Sequence, residues 1–483
     1  MRNIDKKSLV IFEFWKKKNI LFEKKFKDEN NLIHIFFHDL MKYFSSYIIN
    51  LESNDVKYKL INFPYLNKDY AKKPYKINHF PKIKQTRFLN TLFFRINCIV
   101  AYFLKKIFGY RIFLVSKKYG YSINLRKLFF KGLFSGKFIL INVSENRLIK
   151  DYSDQAKLLE ECILELCIKL KVRNKSIFTK NFINYIGVYS KFANDNFYNF
   201  IIRKSDFLSG TTARTINRIH AINFRNNKRK VIIISHGFQD LRILDDPITA
   251  YAEAGPADYV FSYGKGKLKF GKYNKPIKGQ DPKYIYRTSD TINNIYKNKI
   301  INHKILDDVK ILYVPTAFHG GQRYGPFRDL SDKDYLEWQN KLISIQKLTV
   351  KKHPKDQVLI GHNSHAEINK MPLLEVSNLF DVFIIDYVST ASAILFATNK
   401  PIIYFDLGNQ NVNPEVLKVI KKRVYYFNYK NRNISIRSLK KDFKSYNQNA
   451  SKKINYYTEN YSIRKKNMSE IDQIKNFLST GNI

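Results

Sequence analysis

Short apolar runs separated by polar turns and helix-favouring stretches dominate the second half of the chain. Val231–Ile234, Asp258–Tyr263, Ile311–Pro315, Leu348–Lys352, Val382–Ile385 and Ile402–Phe405 have the length and β-branched or aromatic content of buried parallel strands. The clearest unit runs from Asp381 to Asp406. There a strand gives way to a polar break, Asp386–Thr390, then a short helix over Ala391–Thr398. The punctuation Asn399-Lys400-Pro401 follows, and then a second strand. That order is a βαβ unit. Helical periodicity predicts helices over Leu32–Phe44, Phe88–Phe108, Asp151–Leu170, Arg214–Phe224, Leu330–Leu342 and Leu373–Phe380. Phe178–Phe200 is aromatic without a clear period, Lys272–Ile300 is polar and lysine-rich, and Ser438–Phe477 is expected to be mainly helical and solvated. The fold class is α/β.

Ligands of parallel sheets sit beyond the carboxyl ends of the strands. At the end of the 382–385 run that edge holds Asp386, Ser389, Thr390 and Ser392. Small hydroxyls at a helix start, beside its unpaired amides, form a phosphate site. Three other strand ends carry candidate chemistry. Ser235-His236-Gly237 follows Val231–Ile234, with Glu253 downstream; a histidine there is placed for chemistry or hydrogen-bonds a loop. A glycine-rich loop over Thr316–Arg328 includes Arg323, and Lys352-His353-Pro354 closes the 348–352 strand. Gly264-Lys265-Gly266-Lys267 lacks the spacing of a P-loop.

The length of 483 residues predicts two or three domains. Lysine plus arginine total 85 against 41 acids, a net charge of +44. Such a field attracts anionic lipid, nucleic acid or acidic polymers. Compositional drift toward Lys, Asn, Ile, Phe and Tyr accounts for it equally, so charge alone names no partner. No helix-turn-helix, RNA-recognition or zinc-finger signature is present, and nucleic acid is not expected as a partner. Cys98, Cys162 and Cys167 show neither a disulfide framework nor metal-ligand spacing, which fits a reducing compartment. His34 and His38 share a helical face, where packing outweighs metal binding, and no metal site is expected. The start of the chain has no apolar signal-peptide segment, so a cytoplasmic location is expected. Phe88–Phe108 is too short in uninterrupted apolar length to span a bilayer. It reads either as an in-plane amphipathic anchor or as a core helix.

The ordered set resembles the CDP-glycerol glycerophosphotransferase family and bacterial CMP-sugar (sialyl- and Kdo-) transferases. Its members here are His236-Gly237, Pro315-Thr316 with its glycine loop, His353-Pro354, Asp386-Tyr387-Val388-Ser389 and Lys400-Pro401-Ile402-Ile403. The resemblance covers about 228–425. It departs where one serine is missing after Tyr387, with Ser392 as substitute, and where Phe238-Gln239 follows His236-Gly237. It implies the GT-B architecture, two Rossmann-like domains facing a cleft. The domains would be 1–300 on the acceptor side (1–150 basic and able to associate with membrane), 301–425 for the nucleotide, and 426–483 as a helical tail. It implies His236 as base or acceptor-site residue; Gly237 and Glu253, by their positions after that strand, are expected at the acceptor site. His353, Ser389, Thr390, Ser392 and Arg323 would lie on the donor phosphate, and Asp386 and Lys352 in the nucleotide site. Partners would be a nucleotide-activated donor as co-substrate, with no separate cofactor, and a glycan or lipid-linked acceptor. Anionic lipid at the inner membrane face is a further candidate. The alternatives are a UDP-sugar 2-epimerase-like GT-B enzyme and a non-enzymatic basic binding protein.

Overall fold

A computed structural model describes residues 3–52, 88–116, 125–143, 150–172, 174–189, 196–212, 215–235, 243–244, 255–264, 282–296, 300–307, 309–315, 332–352, 371–408, 410–430, 434–449, 453–463 and 468–481. In chain order the strands are β1 Arg111–Val115, β2 Phe138–Asn142, β3 Asp206–Ser209, β4 Val231–Ile234, β5 Ile243–Leu244, β6 Tyr259–Tyr263, β7 Lys283–Arg287 and β8 Ile300–Ile301. They continue as β9 Ile311–Val314, β10 Thr349–Val350, β11 Val382–Ile385, β12 Ile402–Asp406, β13 Asn411–Val412, β14 Tyr425–Asn428 and β15 Lys453–Ile454.

Two parallel sheets result, in the orders β2-β1-β3-β4-β6-β7 and β10-β9-β11-β12-β14. Each is covered on both faces, which is why their strands read as continuous apolar runs rather than alternating ones. In β11, Val382 and Ile384 enter one core with Trp338 and Phe405, while Phe383 and Ile385 enter the other with Leu395 and Val416. The register sets Val382 against Ile311 and Phe383 against Ile402. A separate helical layer forms from Asn3–Phe26, Leu32–Glu52, Ser153–Lys169 and Lys175–Tyr189 around Trp15, Phe22, Phe36 and Ile163. His34, His38, Cys162 and Cys167 are buried in it. There the Asp39 carboxylate accepts from Arg218, from the Tyr185 hydroxyl at 3.1 Å and from Thr215 at 3.0 Å.

Two stretches differ from the sequence reading. Lys272–Ile300 contains β7, the sixth strand of the first sheet. It lies on the edge, so only Ile285 and Arg287 of KYIYR are buried, and its lysine content hides the period. The closing segment is mainly helical, as expected, but each of its helices buries one stripe. Tyr425–Asn428 completes the second sheet. The last helix, Glu470–Thr480, buries Ile474, Phe477 and Leu478 against the first sheet, with Phe477 edge-on to Phe261 at 4.9 Å. Ser469 caps that helix and Gly481, at φ +73°, ends it. The chain therefore crosses from the first sheet to the second and back.

Candidate functional site

The polar turn after β11 is braced from three sides. Asp386, 2 % exposed, directs its carboxylate into the core. It accepts from the Tyr313 hydroxyl of β9, from the Tyr335 hydroxyl at 2.8 Å and from Trp338 Nε1 at 3.4 Å. Burial first, and then the Asp386 charge, push both phenols well above the usual tyrosine range, so they stay protonated donors. Asp386 thus anchors the strand end. An acid in an apolar core needs those donors.

Ser389 is the N-cap of the helix Thr390–Ala397. Its hydroxyl accepts from the Ala391 amide at 3.2 Å. Ser392, almost fully buried, returns the contact: its hydroxyl accepts from the Ser389 amide at 2.7 Å and donates to the Ser389 carbonyl at 2.8 Å. This capping box uses the two serine hydroxyls for local order. The half-buried Thr390 and the first-turn amides lie at the helix start, past the carboxyl end of β11. Just upstream, buried Gln410 grips Val388 on both sides. Its Oε1 accepts from the Val388 amide at 2.8 Å and its Nε2 donates to the Val388 carbonyl at 2.9 Å. Of the adjacent lysines, Lys351 is turned inward, with Nζ on the Met371 carbonyl at 2.7 Å and its pKa lowered by burial. Lys352 is half-buried at the end of β10. Asp406 ends β12 as a second buried acid, accepting from the Gly408 amide at 3.1 Å and the Tyr426 hydroxyl at 2.6 Å.

The carboxyl edge of the first sheet is polar as well. Arg287, fully buried at the end of β7, pairs with Glu470 at 2.9 Å and donates to the Ser235 carbonyl. Its guanidinium lies 4.2 Å from the Tyr263 ring centroid. Burial raises the Glu470 pKa, against the pull of Arg287 and Tyr263. Beside it, Asn217 donates to the Thr211 carbonyl at 2.8 Å and receives the Ser116 hydroxyl.

These two edges are joined. β5, beyond β4 and residues 236–242, pairs antiparallel with β13, beyond β12. Ile243 sits opposite Val412 and Leu244 opposite Asn411, next to the Gln410 clamp. Contacts continue elsewhere along the junction. The Ser289 amide donates to the Ser462 carbonyl at 3.0 Å. Gly264 lies so close to Asn460 and Tyr461 that a methyl group there would fall 2.4 Å from their backbone atoms.

The structure therefore brings Ser389, Thr390 and Ser392 together, while Lys352 lies just past β10, which is separated from β11 by β9. His236, Gly237, Glu253, Arg323 and His353 lie outside the described residues, as do Lys265–Lys267. Gln410, Arg287 and the Tyr313–Tyr335–Trp338 box escaped the sequence reading. Only Trp338 and Tyr335, i and i+3 on one helix face, gave a signal, and it pointed to the core. Among the described residues no group of His, Cys, Asp or Glu is arranged to hold a metal ion. No protein-family model matches the chain, and no curated protein matches it in sequence.

Proposed function

We propose that the protein is a GT-B transferase. It would move a sugar or polyol phosphate from a CDP- or CMP-linked donor to a glycan acceptor of the cell surface. The observation that carries this reading is the β5–β13 ladder. It ties the segment that follows Ser235 and residues 236–242 to the segment that clamps the 388–392 turn. The carboxyl edges of two parallel sheets thereby share one boundary, where such sheets take ligands. The return of helix Glu470–Thr480 to the first sheet supports two halves working as a unit.

Transfer breaks the bond between the donor group and the nucleotide's phosphate oxygen, and the acceptor hydroxyl oxygen forms the new bond. Charge grows on the leaving phosphate. The amides at the start of the Thr390–Ala397 helix and the Thr390 hydroxyl, with His353, Arg323 and Lys352, would offset it. The acceptor proton would pass to the His236 imidazole, whose ordinary pKa of about 6.5 suits a base near neutrality. Gly237 and Glu253 would line the acceptor side.

The test is a thermal-shift series with CDP-glycerol, CMP-sialic acid, CMP-Kdo and UDP-GlcNAc, followed by transfer assays on His236→Ala and His353→Ala. A ligand at about 100 times its Kd stabilises a fold by about 2.7 kcal/mol, a readable shift. A response to cytidine donors, with transfer abolished in both folded variants, is expected. No response to any donor, or near-normal turnover in both variants, refutes the reading.

A further inference from the structure

The helix Phe88–Phe108 has two apolar sides. Phe94, Cys98 and Ala101, at i, i+4 and i+7, are buried against β1 and β2. Leu92, Ile96, Ile99, Phe103 and Ile107 also recur at helical spacing, offset from the first set by two residues. At about 100° per residue that offset places them on the opposite side. They are exposed, Ile99 at 58 % and Phe103 at 63 %. The helix thus has one apolar face in the core and a second one exposed.

The patch extends beyond the helix. Phe200 packs edge-on to Tyr102 at 5.1 Å and is itself exposed. The Tyr110 hydroxyl donates to the Leu133 carbonyl at 2.7 Å, tying the turn Gly132–Gly136 to the end of the helix. That turn carries Phe134, 80 % exposed, stacked on exposed Phe130. Soluble surfaces rarely leave so many large apolar side chains of one helix face bare.

Charge identifies what covers it. Between Tyr70 and Ser144 the chain has no aspartate or glutamate, while lysine and arginine recur throughout. Lys106, Arg203 and Lys204 are exposed, and Lys105 donates to the Lys204 carbonyl at 2.6 Å. The positive charges of Arg229, Lys204 and Arg111 act on Lys105. The one carboxylate acting on it, Asp206, is buried and paired with Arg229 at 2.8 Å. A second copy of this chain would bring like charge to the same face. An anionic bilayer brings apolar depth and opposite charge together. No described helix is long and apolar enough to cross a membrane, so the helix would lie in the plane of the interface.

We propose that the exposed face of Phe88–Phe108, with Phe130, Phe134 and Phe200, is a docking surface for anionic phospholipid membranes. The proposal goes beyond the transferase reading and stands or falls without it, since vesicle binding needs no nucleotide.

The full-length protein is tested by flotation with phosphatidylcholine vesicles containing phosphatidylglycerol, and with phosphatidylcholine vesicles alone. Binding to the anionic vesicles should exceed binding to neutral ones by about tenfold or more, and weaken in 0.5 M salt without vanishing. Ile99→Glu/Phe103→Glu should lower the partition by about tenfold or more. Leu164→Glu/Ile168→Glu, exposed on another helix, should leave it unchanged. Hydroxyl-radical labelling of Phe103 in the unaltered protein, which should fall when vesicles are added, gives a readout that needs no variant. Failure to bind anionic vesicles overturns the proposal. So does equal binding by Ile99→Glu/Phe103→Glu, or unchanged Phe103 labelling. A protein that ignores vesicles, yet is a dimer by light scattering that Ile99→Glu/Phe103→Glu converts to monomer, assigns the face to a second copy instead.

Discussion

Replacing Gln410 by alanine should loosen the 388–392 turn while leaving both sheets folded. Gln410 makes two hydrogen bonds to one buried residue, at 2.8 Å to the Val388 amide and 2.9 Å from the side-chain amide to the Val388 carbonyl. Truncation leaves both backbone groups without those partners in a site where Val388 is fully buried. A buried polar group that loses its partner costs about 1–3 kcal/mol, so the pair costs about 2–4 kcal/mol, with partial relief where water enters. The loss falls on local opening of the turn, because the flanking strands β11 and β12 keep their own pairing. With tenfold for each 1.4 kcal/mol, amide exchange across Val388–Ser392 should accelerate by about 30-fold or more. Exchange in β11 should change little. Gln410→Glu separates the two bonds: it keeps an acceptor for the Val388 amide but offers no donor to the carbonyl and adds buried charge. It should be at least as damaging as alanine. Peptide-resolved hydrogen exchange with mass spectrometry reads this directly, with the thermal shift by cytidine donors as the functional companion. Unchanged exchange over 388–392 in Gln410→Ala would refute the idea that this side chain holds the turn. Faster exchange with an undiminished donor response would refute the turn as the phosphate site.

Tyr335→Phe removes one donor from the buried Asp386 carboxylate and should destabilise the second sheet by about 1.5–3 kcal/mol, measured by urea unfolding. Gly264→Ala combines φ +89° with a 2.4 Å clash against the 460–461 backbone, so it should lower the melting temperature and disturb the junction more than a surface glycine substitution. His220, buried beside the Tyr198 hydroxyl at 2.8 Å, has its pKa pushed down by burial to about 3 from 6.5. The folded state refuses a proton that the unfolded chain accepts, so this contribution to stability is complete above pH 6.5 and declines as pH falls toward about 3. His220→Gln should flatten that limb of a stability–pH profile, and an unchanged slope between pH 6.5 and 4 would count against it.

What could be read from the sequence was the doubly covered strand. Val231–Ile234 and Val382–Ile385 are continuous apolar runs because both faces are buried, and the structure forms strands over those same residues. The helix start was legible as well, but the sequence reading gave its hydroxyls to phosphate and did not name the capping box that Ser389 and Ser392, three apart, form there. Strand β7 was missed because an edge strand buries only alternate side chains, and Lys283 masks that alternation. The closing helix was expected, but its burial was missed because Ile471, Ile474 and Phe477–Leu478 form a narrow stripe diluted by Asp472, Gln473 and Lys475. Long-range partners leave no local trace. Nothing near Gln410 announces Val388, 22 positions away, and nothing near Arg287 announces Glu470 or the Ser235 carbonyl.

These long-range partners distribute strength unevenly along the junction of the two sheets. On one side the first sheet meets the 456–463 segment through the Gly264 contact and the Ser289–Ser462 bond, and the buried Arg287–Glu470 pair secures the returning helix nearby. A buried pair of that kind resists separation, because parting it strands a charge away from water. On the other side the tie is the β5–β13 ladder, two residues from each segment, and so short a ladder has marginal stability by itself. Any opening between the sheets would therefore break the ladder first and pivot about the Gly264 contact. Among the described residues, this short ladder adjoins both the 388–392 turn and the segment after His236, where the proposed donor and acceptor would enter. In hydrogen exchange, the Val412 region should open at lower free energy than the Gly264 amide, which bonds to the Arg287 carbonyl at 2.8 Å. The reverse order of protection would place the pivot at the ladder and the entrance at the opposite end of the junction.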